Sequence, residues 1–463
     1  MSANTDLVIG IDVGTTSMKA HAFSLDGTII GRAQQPTLWQ VGHNGQAEID
    51  IDLLADTAMQ VMADCVPESH SHGSVIGIGI TGMAETGVLI DARQRPVMPA
   101  MAWYDERGKD ELAQLPAGFS QEFSAATGLA FKAECSFAKL LWRSRQGGEV
   151  PAGARWLNAL EYIAFRMTGI TITEPSLASR TGLLEQATST PWLPALSIIG
   201  AHDSLIPDML HAGTSIGNVL ESAPRALRGA AVTVAGHDHL VGAVGAGAFG
   251  ADDLYDSCGT ADVILRSVSR VLTNEERTTL VSRGLSAGRH CVPNATAILG
   301  ATRSGLVLGR VLTMLGANDR EARRAIADAW GGPGTHSSEV SVTEPPAWTN
   351  EVTISLRGDV SSSQVWAAAM EYVLGATSGL VHAVDDIAGE YHAAVAAGGW
   401  ARLDGVFRGK ASVMPGLQRF DGEEPGARGA AALACLAARA PTVPLAANLA
   451  ASFVSPSHKE LVS

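Results

Sequence analysis

Leu7-Val8-Ile9-Gly10-Ile11-Asp12-Val13-Gly14-Thr15-Thr16-Ser17-Met18-Lys19 is the stretch on which the reading of the fold turns. Leu7 to Ile11 is an apolar run of strand length, Asp12 to Lys19 is a polar turn, and Ala20 to Leu25 is a second strand-like run. The Asp26-Gly27 pair then marks a hairpin turn into Thr28-Ile29-Ile30. Gly14 permits a close turn whose backbone N–H groups can face an anion, and the hydroxyls of Thr15, Thr16 and Ser17 add donors. Asp12, at the strand end, is placed to hold Mg²⁺ through water. An ordinary β-hairpin with a polar glycine turn accounts for the same residues, so this stretch alone leaves both readings open.

A related pattern, Asp-x-x-Gly-Thr, recurs in Leu254-Tyr255-Asp256-Ser257-Cys258-Gly259-Thr260-Ala261-Asp262-Val263-Ile264-Leu265, again between strand-like runs. Two such hairpins suggest two similar lobes that grip a nucleotide diphosphate from opposite sides, an arrangement that resembles the actin and hexokinase superfamily. Chance recurrence in a glycine-rich chain is the alternative. Between the hairpins, Ala231 to Gly236 reads as a strand, His237-Asp238-His239 as a tight turn, and Leu240 to Gly247 as a helix packed closely through its glycines. An aspartate there either caps the helix or accepts a hydroxyl proton in phosphoryl transfer, and the second reading makes Asp238 the catalytic base. His237 and His239 are read as neighbours rather than metal ligands.

Length and composition limit the alternatives. A chain of 463 residues exceeds the usual single domain, and 46% hydrophobic residues with 50 glycines describe a well-buried protein rich in turns. A net charge of -14 gives no electrostatic footprint for nucleic acid or an anionic membrane, so an anionic ligand needs local dipoles, a metal ion or a few side chains. The five scattered cysteines lack metal-site spacing and read as reduced structural thiols. No leader pattern opens the chain, and the apolar stretch Gly429 to Leu449 is interrupted by Arg439, Pro441 and Pro444. A cytoplasmic protein without membrane or nucleic-acid partners is expected; a homodimer is allowed, and oligomeric state is left open.

These segments stand in the order seen in the FGGY carbohydrate kinases, which the chain resembles over nearly its whole length. Further landmarks are Gly77 to Gly82, Trp103-Tyr104-Asp105-Glu106-Arg107 (similar to W-x-D-x-R), Ser136 to Trp142 (similar to S/P-x-x-K-L-x-W), and Thr173 to Gly182 with its Ala-Ser-Arg-Thr. The resemblance implies an α/β fold of two ribonuclease-H-like lobes with a cleft between them. It implies an acceptor-binding domain over 1–248, an ATP-binding domain over 249–463, and a crossing along Gly242 to Gly250. The implied activity is ATP-dependent, Mg²⁺-assisted phosphorylation of a ketose or polyol.

By the same resemblance, Gly14, Thr15, Thr16, Ser17, Gly259, Thr260, Gly300, Gly305, Gly398 and Gly399 are expected to serve the nucleotide. Met83, Ala84, Glu85, Trp103 and Asp238 are expected to serve the acceptor. Glu85 matches the acceptor-binding glutamate of the family's glycerol kinases. Ala84 replaces a larger pocket residue, which suggests room for an acceptor of four to six carbons. The helix at Gly429-Ala430-Ala431-Ala432 is similar to one that packs near the base, and small-residue packing explains it equally. Two departures are Trp400 after the Gly398-Gly399 pair and Glu161 where the family has aspartate. A catalytically silent sugar sensor would need no base, and a non-sugar ATPase of the superfamily would lack the W-x-D-x-R segment.

Overall fold

The computed structural model describes residues 6–67, 73–335, 337–343 and 351–439. The end of the expected second domain, 440–463, and with it the second half of the Gly429 to Leu449 stretch, lies outside these residues. Two mixed six-stranded sheets organise the chain. In the first, Leu7–Val13 pairs antiparallel with Ser17–Ser24, which pairs with Ile29–Pro36. On its other side Leu7–Val13 pairs parallel with Val75–Gly82, which pairs parallel with Ala231–His237, and Gly217–Asn218 closes that edge. The second sheet repeats the plan. Asp253–Cys258 pairs antiparallel with Asp262–Val268, then comes Thr296–Thr302, while Ala393–Ala397 and Leu417–Arg419 follow in parallel on the other side. Leu285–Arg289 is an additional edge strand beyond Thr296–Thr302. The chain is thus two copies of one α/β unit, as the paired hairpins suggest.

Strand alternation decides which residues reach the site. Leu7, Ile9, Ile11 and Val13 face the helices Ile51–Asp64 and Ala159–Thr168 in one buried cluster. Val8 faces the other way, onto Ala431 and Ala434 of the helix Pro425–Ala437. That helix, although it follows the second sheet in sequence, packs on the first. Conversely Leu240, Val241 and Val244 of the helix Asp238–Ala246 pack with Tyr255, Val263 and Leu265 of the second sheet. The lobes therefore exchange a helix each, and the two exchanged helices meet so closely that a Cβ on Gly245 would lie 2.7 Å from the Gly429 nitrogen. Small residues make this approach feasible, and the Gly429 helix is a packing element between lobes.

The long helix Ser362–Ala388, capped by a Ser361/Gln364 box, covers the opposite face of the second sheet. Among the described residues no helix is long and apolar enough to cross a membrane. All five cysteines are buried and unpaired.

Candidate active site

Asp12 shares the alternation of Val8, so its carboxyl lies on the face of the exchanged helix, and a Cβ on Gly426 in that helix's first turn would sit 3.0 Å from Asp12 Oδ2. Asp12 Oδ1 is buried with no hydrogen-bond partner. Burial, then the charge of Asp238, push the Asp12 carboxyl up to about 7 against the pull of Lys19. The turn beyond it is closed by the Gly14 N–H donating to the Ser17 carbonyl at 3.1 Å. Two indoles hold Thr15: Trp39 Nε1 donates to its carbonyl at 2.7 Å, and Trp103 Nε1 donates to its hydroxyl at 3.0 Å. Trp103, expected at the acceptor, thus contacts the turn expected at the phosphates, and Tyr104 stands edge-on to both Trp39 and Trp103.

Asp238 opens its helix, one residue after the N-cap position, which His237 occupies. Gly236 adopts a φ of 111°, and a Cβ there would meet Ser176 Oγ at 2.5 Å and Cys291 Cβ at 3.2 Å, so the turn before the helix requires glycine. Asp238 Oδ1 accepts the His239 backbone N–H at 2.7 Å and lies 3.2 Å from His237 Nε2. Burial pushes His237 down to about 3, which keeps its ring neutral near pH 7 and makes Nε2–H a donor to Asp238. The helix dipole adds to the stabilisation of negative charge there.

Glu85 joins this group. It adopts a φ of 58°, rare for a side-chain-bearing residue, and Ser136 Oγ donates to its carbonyl at 2.9 Å. Its carboxylate accepts Arg180 Nε at 2.6 Å. Burial raises the Glu85 pKa, Arg180 opposes that rise, and the Asp238 charge adds to it. The structure therefore brings Asp12, Glu85 and Asp238 into one electrostatic cluster, with Trp103 reaching the Asp12 turn through Thr15.

Met83 and Ala84, expected at the acceptor, are buried in the first lobe's apolar cluster, at 4% and 2% exposure.

The second hairpin differs chemically from the first. Aligned on Gly-Thr, Gly259 corresponds to Gly14 and Ser257 to Asp12, so Asp256 is one residue out of phase and points to the opposite face of its strand. There Lys410 Nζ bonds Asp256 at 2.8 and 3.0 Å and Asp262 at 2.5 Å. Burial disfavours the Lys410 charge, and the two carboxylates more than offset it. The ammonium already fills the space between these acids.

Four of the residues expected at the nucleotide, Gly259, Thr260, Gly305 and Gly398, lie around the second hairpin turn. Leu306 N–H donates to the Thr260 carbonyl at 3.1 Å, and a Cβ on Gly305 would overlap the Gly259 carbonyl and lie 2.7 Å from Trp400 Nε1. Gly398 has a φ of 107° and lies against the Cys258 backbone, whereas Gly399 has open space. Gly300 stands apart: its bare face meets Leu285 and Leu380 inside the second lobe, a packing role. Thr16 is exposed, and Ser17 begins the second strand.

Two signature segments buttress the site. Buried Asp105 accepts the Ala47 N–H and the Arg107 guanidinium, Lys139 Nζ donates to the Asp105 and Ala133 carbonyls, and Arg107 lies over Trp142. Glu161 accepts the Asn158 N–H, the Thr173 hydroxyl and the Glu174 N–H, which fixes the entry to the loop carrying Arg180. Glu174 accepts the Ser176 and Leu177 N–H groups, and Ser176 Oγ accepts the His237 N–H at 3.1 Å.

Burial pushes Glu161 up to about 7 and Glu174 up to about 8. The folded chain thus holds protons that the unfolded chain releases near the ordinary value of 4.5. This stabilisation is full below 4.5 and is lost as pH rises to 7 and 8, at about 1.4 kcal/mol per pH unit for each carboxyl. Buried neutral His237 and His290 act oppositely, but only below the ordinary histidine value of 6.5. Thermal unfolding is therefore expected at lower temperature at pH 8.5 than at 6.5, with Glu174→Gln flattening the decline. A parent profile level across that window would contradict this account.

Arg180, Glu174 and Lys410 escape a motif reading. Arg180 lies within the Ala-Ser-Arg-Thr segment, the one available signal, but its partner Glu85 is 95 positions away. Lys410 has no local signature.

The model of the N-terminal domain of the FGGY family of carbohydrate kinases matches residues 7–245. The xylulose kinase of Staphylococcus xylosus is 24% identical over 308 residues, 64% of this chain and 61% of its own length. The glycerol kinase of Ectopseudomonas mendocina is 28% identical over 297 residues, 61% of this chain and 58% of its own. The chain thus spans about three fifths of the length of these curated relatives in the matched regions. In three dimensions it superimposes on the xylulose kinase from Rhodospirillum rubrum with a TM-score of 0.79 at 24% identity, covering 94% of this chain and 89% of the other. That likeness extends across both lobes.

Proposed function

Because the chain belongs to the FGGY family of carbohydrate kinases, we propose that it transfers the γ-phosphoryl group of ATP to a hydroxyl of a ketose or polyol, with Asp238 accepting the hydroxyl proton. The observation that carries this reading is the grouping of Asp12, Glu85 and Asp238 around the start of an exchanged helix. The names of two relatives, xylulose kinase and glycerol kinase, support a ketose or a polyol as the acceptor class.

Each residue has a separable task. Asp238 Oδ1 is held by the His239 N–H and the His237 ring, which orients the carboxylate and leaves Oδ2 for the acceptor's proton. Glu85 accepts acceptor hydroxyls, and the Trp103 ring offers an apolar face to a carbon chain. The nucleotide lies against Gly14 to Ser17 on one side and Gly259, Thr260, Gly305, Gly398 and Gly399 on the other. Asp12 fits a hydrated Mg²⁺: it has a buried orphan oxygen and a carboxyl pushed up by burial and then by the neighbouring Asp238, the environment a divalent cation relieves. Bound Mg²⁺ would neutralise phosphate charge during transfer. Closure of the two lobes would exclude water as a competing acceptor.

Asp12→Ala is expected to lower Mg²⁺-dependent ADP formation roughly tenfold or more, at least about 1.4 kcal/mol of transition-state stabilisation, while acceptor binding without nucleotide stays near the parent value. Magnesium titration of turnover beside calorimetry with acceptor alone checks it. Collapse of acceptor binding with an unaltered magnesium dependence would remove Asp12 from the metal site.

A further inference from the structure

We propose that Arg180 is a positioning residue that couples acceptor occupancy at Glu85 to the second lobe through Ser286, an inference that rests on the kinase reading above. The Arg180 guanidinium is bonded at two points in different lobes: Nε donates to Glu85 Oε1 at 2.6 Å, and Nη1 donates to Ser286 Oγ at 2.9 Å. Ser286 belongs to Leu285–Arg289, the edge strand that the second sheet adds to the repeated plan.

The segment carrying Arg180 runs along that strand. Arg289 N–H donates to Ser179 Oγ at 2.8 Å, Arg289 Nη2 donates to the Gln186 carbonyl at 2.7 Å, and the Ala287 N–H donates to the Gly128 carbonyl at 2.9 Å. A Cβ on Gly288 would lie 2.8 Å from Ser179 Cβ. The joint thus holds Arg180 at a fixed height above the second lobe. On the other side, Glu85 is held in a left-handed turn by Ser136. A planar guanidinium between two such fixed partners has little freedom, and a change at one partner is felt at the other.

An acceptor hydroxyl that donates to the Glu85 carboxylate shares that anion with Arg180. Occupancy then orders Glu85, the guanidinium and the Ser286 strand together. The strand is hydrogen-bonded to Thr296–Thr302, which pairs with Asp262–Val268 after the Gly259-Thr260 turn. The second lobe is thereby set for nucleotide, and by linkage nucleotide must tighten acceptor binding by the same factor.

The test measures that factor. Dissociation constants of xylulose and glycerol are determined by calorimetry on the full chain, without nucleotide and with saturating Mg²⁺ and ADP, for the parent, Ser286→Ala and Ser286→Thr. Expected is a parent in which ADP tightens the acceptor by roughly three- to tenfold, a ratio falling toward one in Ser286→Ala and restored in Ser286→Thr, which keeps the hydroxyl. A purely structural role would lower thermal stability and leave the ratio unchanged. An unchanged ratio in Ser286→Ala, or a parent ratio of one, overturns the coupling while leaving the kinase reading in place. Binding of neither acceptor by the parent overturns the Glu85 acceptor site and this proposal with it.

Discussion

Asp238→Asn is expected to fold as the parent does, to bind nucleotide with similar affinity, and to lose roughly two or more orders of magnitude in kcat, the usual scale of general-base catalysis. Asparagine keeps the shape and an oxygen for the His239 N–H and the His237 ring, so the helix start retains its hydrogen bonds. It cannot take a proton from the acceptor hydroxyl. Its loss should therefore fall on kcat and kcat/KM together, the pattern of an interaction made in the transition state. Removal of the Asp238 charge also lets the Asp12 carboxyl fall back toward its ordinary value, so magnesium binding should not weaken. Stopped-flow or coupled measurement of ADP release at saturating acceptor checks the first point. Turnover near the parent value would remove Asp238 from the chemistry.

The second large effect is structural. Gly79→Ala is expected to destabilise the chain by about 3 kcal/mol, at the upper end for overpacking, because the new Cβ would overlap the Ala430 carbonyl oxygen and lie 2.6 Å from its carbon. Both neighbours are backbone and have no rotamer to yield. Gly10, paired with Gly79 in register, meets Ala427 in the same way, and Gly77 lies 2.7 Å by its would-be Cβ from the Ala434 carbonyl oxygen. This glycine stripe is where the exchanged helix sits on the first sheet, and the first turn of that helix lies beside Asp12. Displacement of the helix should therefore lower activity as well as the midpoint of unfolding. Gly375→Ala is the control: it lies exposed inside a helix with nothing near its would-be Cβ, where alanine is expected to leave stability unchanged or raise it. Equal midpoints for Gly79→Ala and the parent would contradict the packing account.

Elements defined by local pattern were legible in the sequence. The Leu7 to Lys19 strand and turn and the strand leading to Asp238 both carry their signal within a few residues. Glu85 and Trp103 drew attention through resemblance; the structure pairs Glu85 with Arg180 and Trp103 with the Thr15 hydroxyl. What stayed hidden depends on long-range pairing. No local pattern tells that the Gly429 helix crosses to the first sheet, that Lys410 neutralises Asp256 from 154 positions away, or that Arg180 reaches Ser286. The resemblance of the two hairpins misled at one point: a shift of a single residue sends Asp256 to the face opposite that of Asp12, because side chains alternate along a strand.

The central claim is that a sugar or polyol hydroxyl, not water, receives the phosphoryl group. Its most direct test is ADP formation by the full chain with Mg²⁺ and ATP across a panel of ketoses, polyols and aldonates, with the phosphorylated product measured in the same samples. The account predicts that at least one ketose or polyol raises ADP formation well above the acceptor-free rate, with one phosphorylated acceptor formed for each ADP. Acceptor-independent ADP formation, or ADP without a matching sugar phosphate across the whole panel, would contradict it.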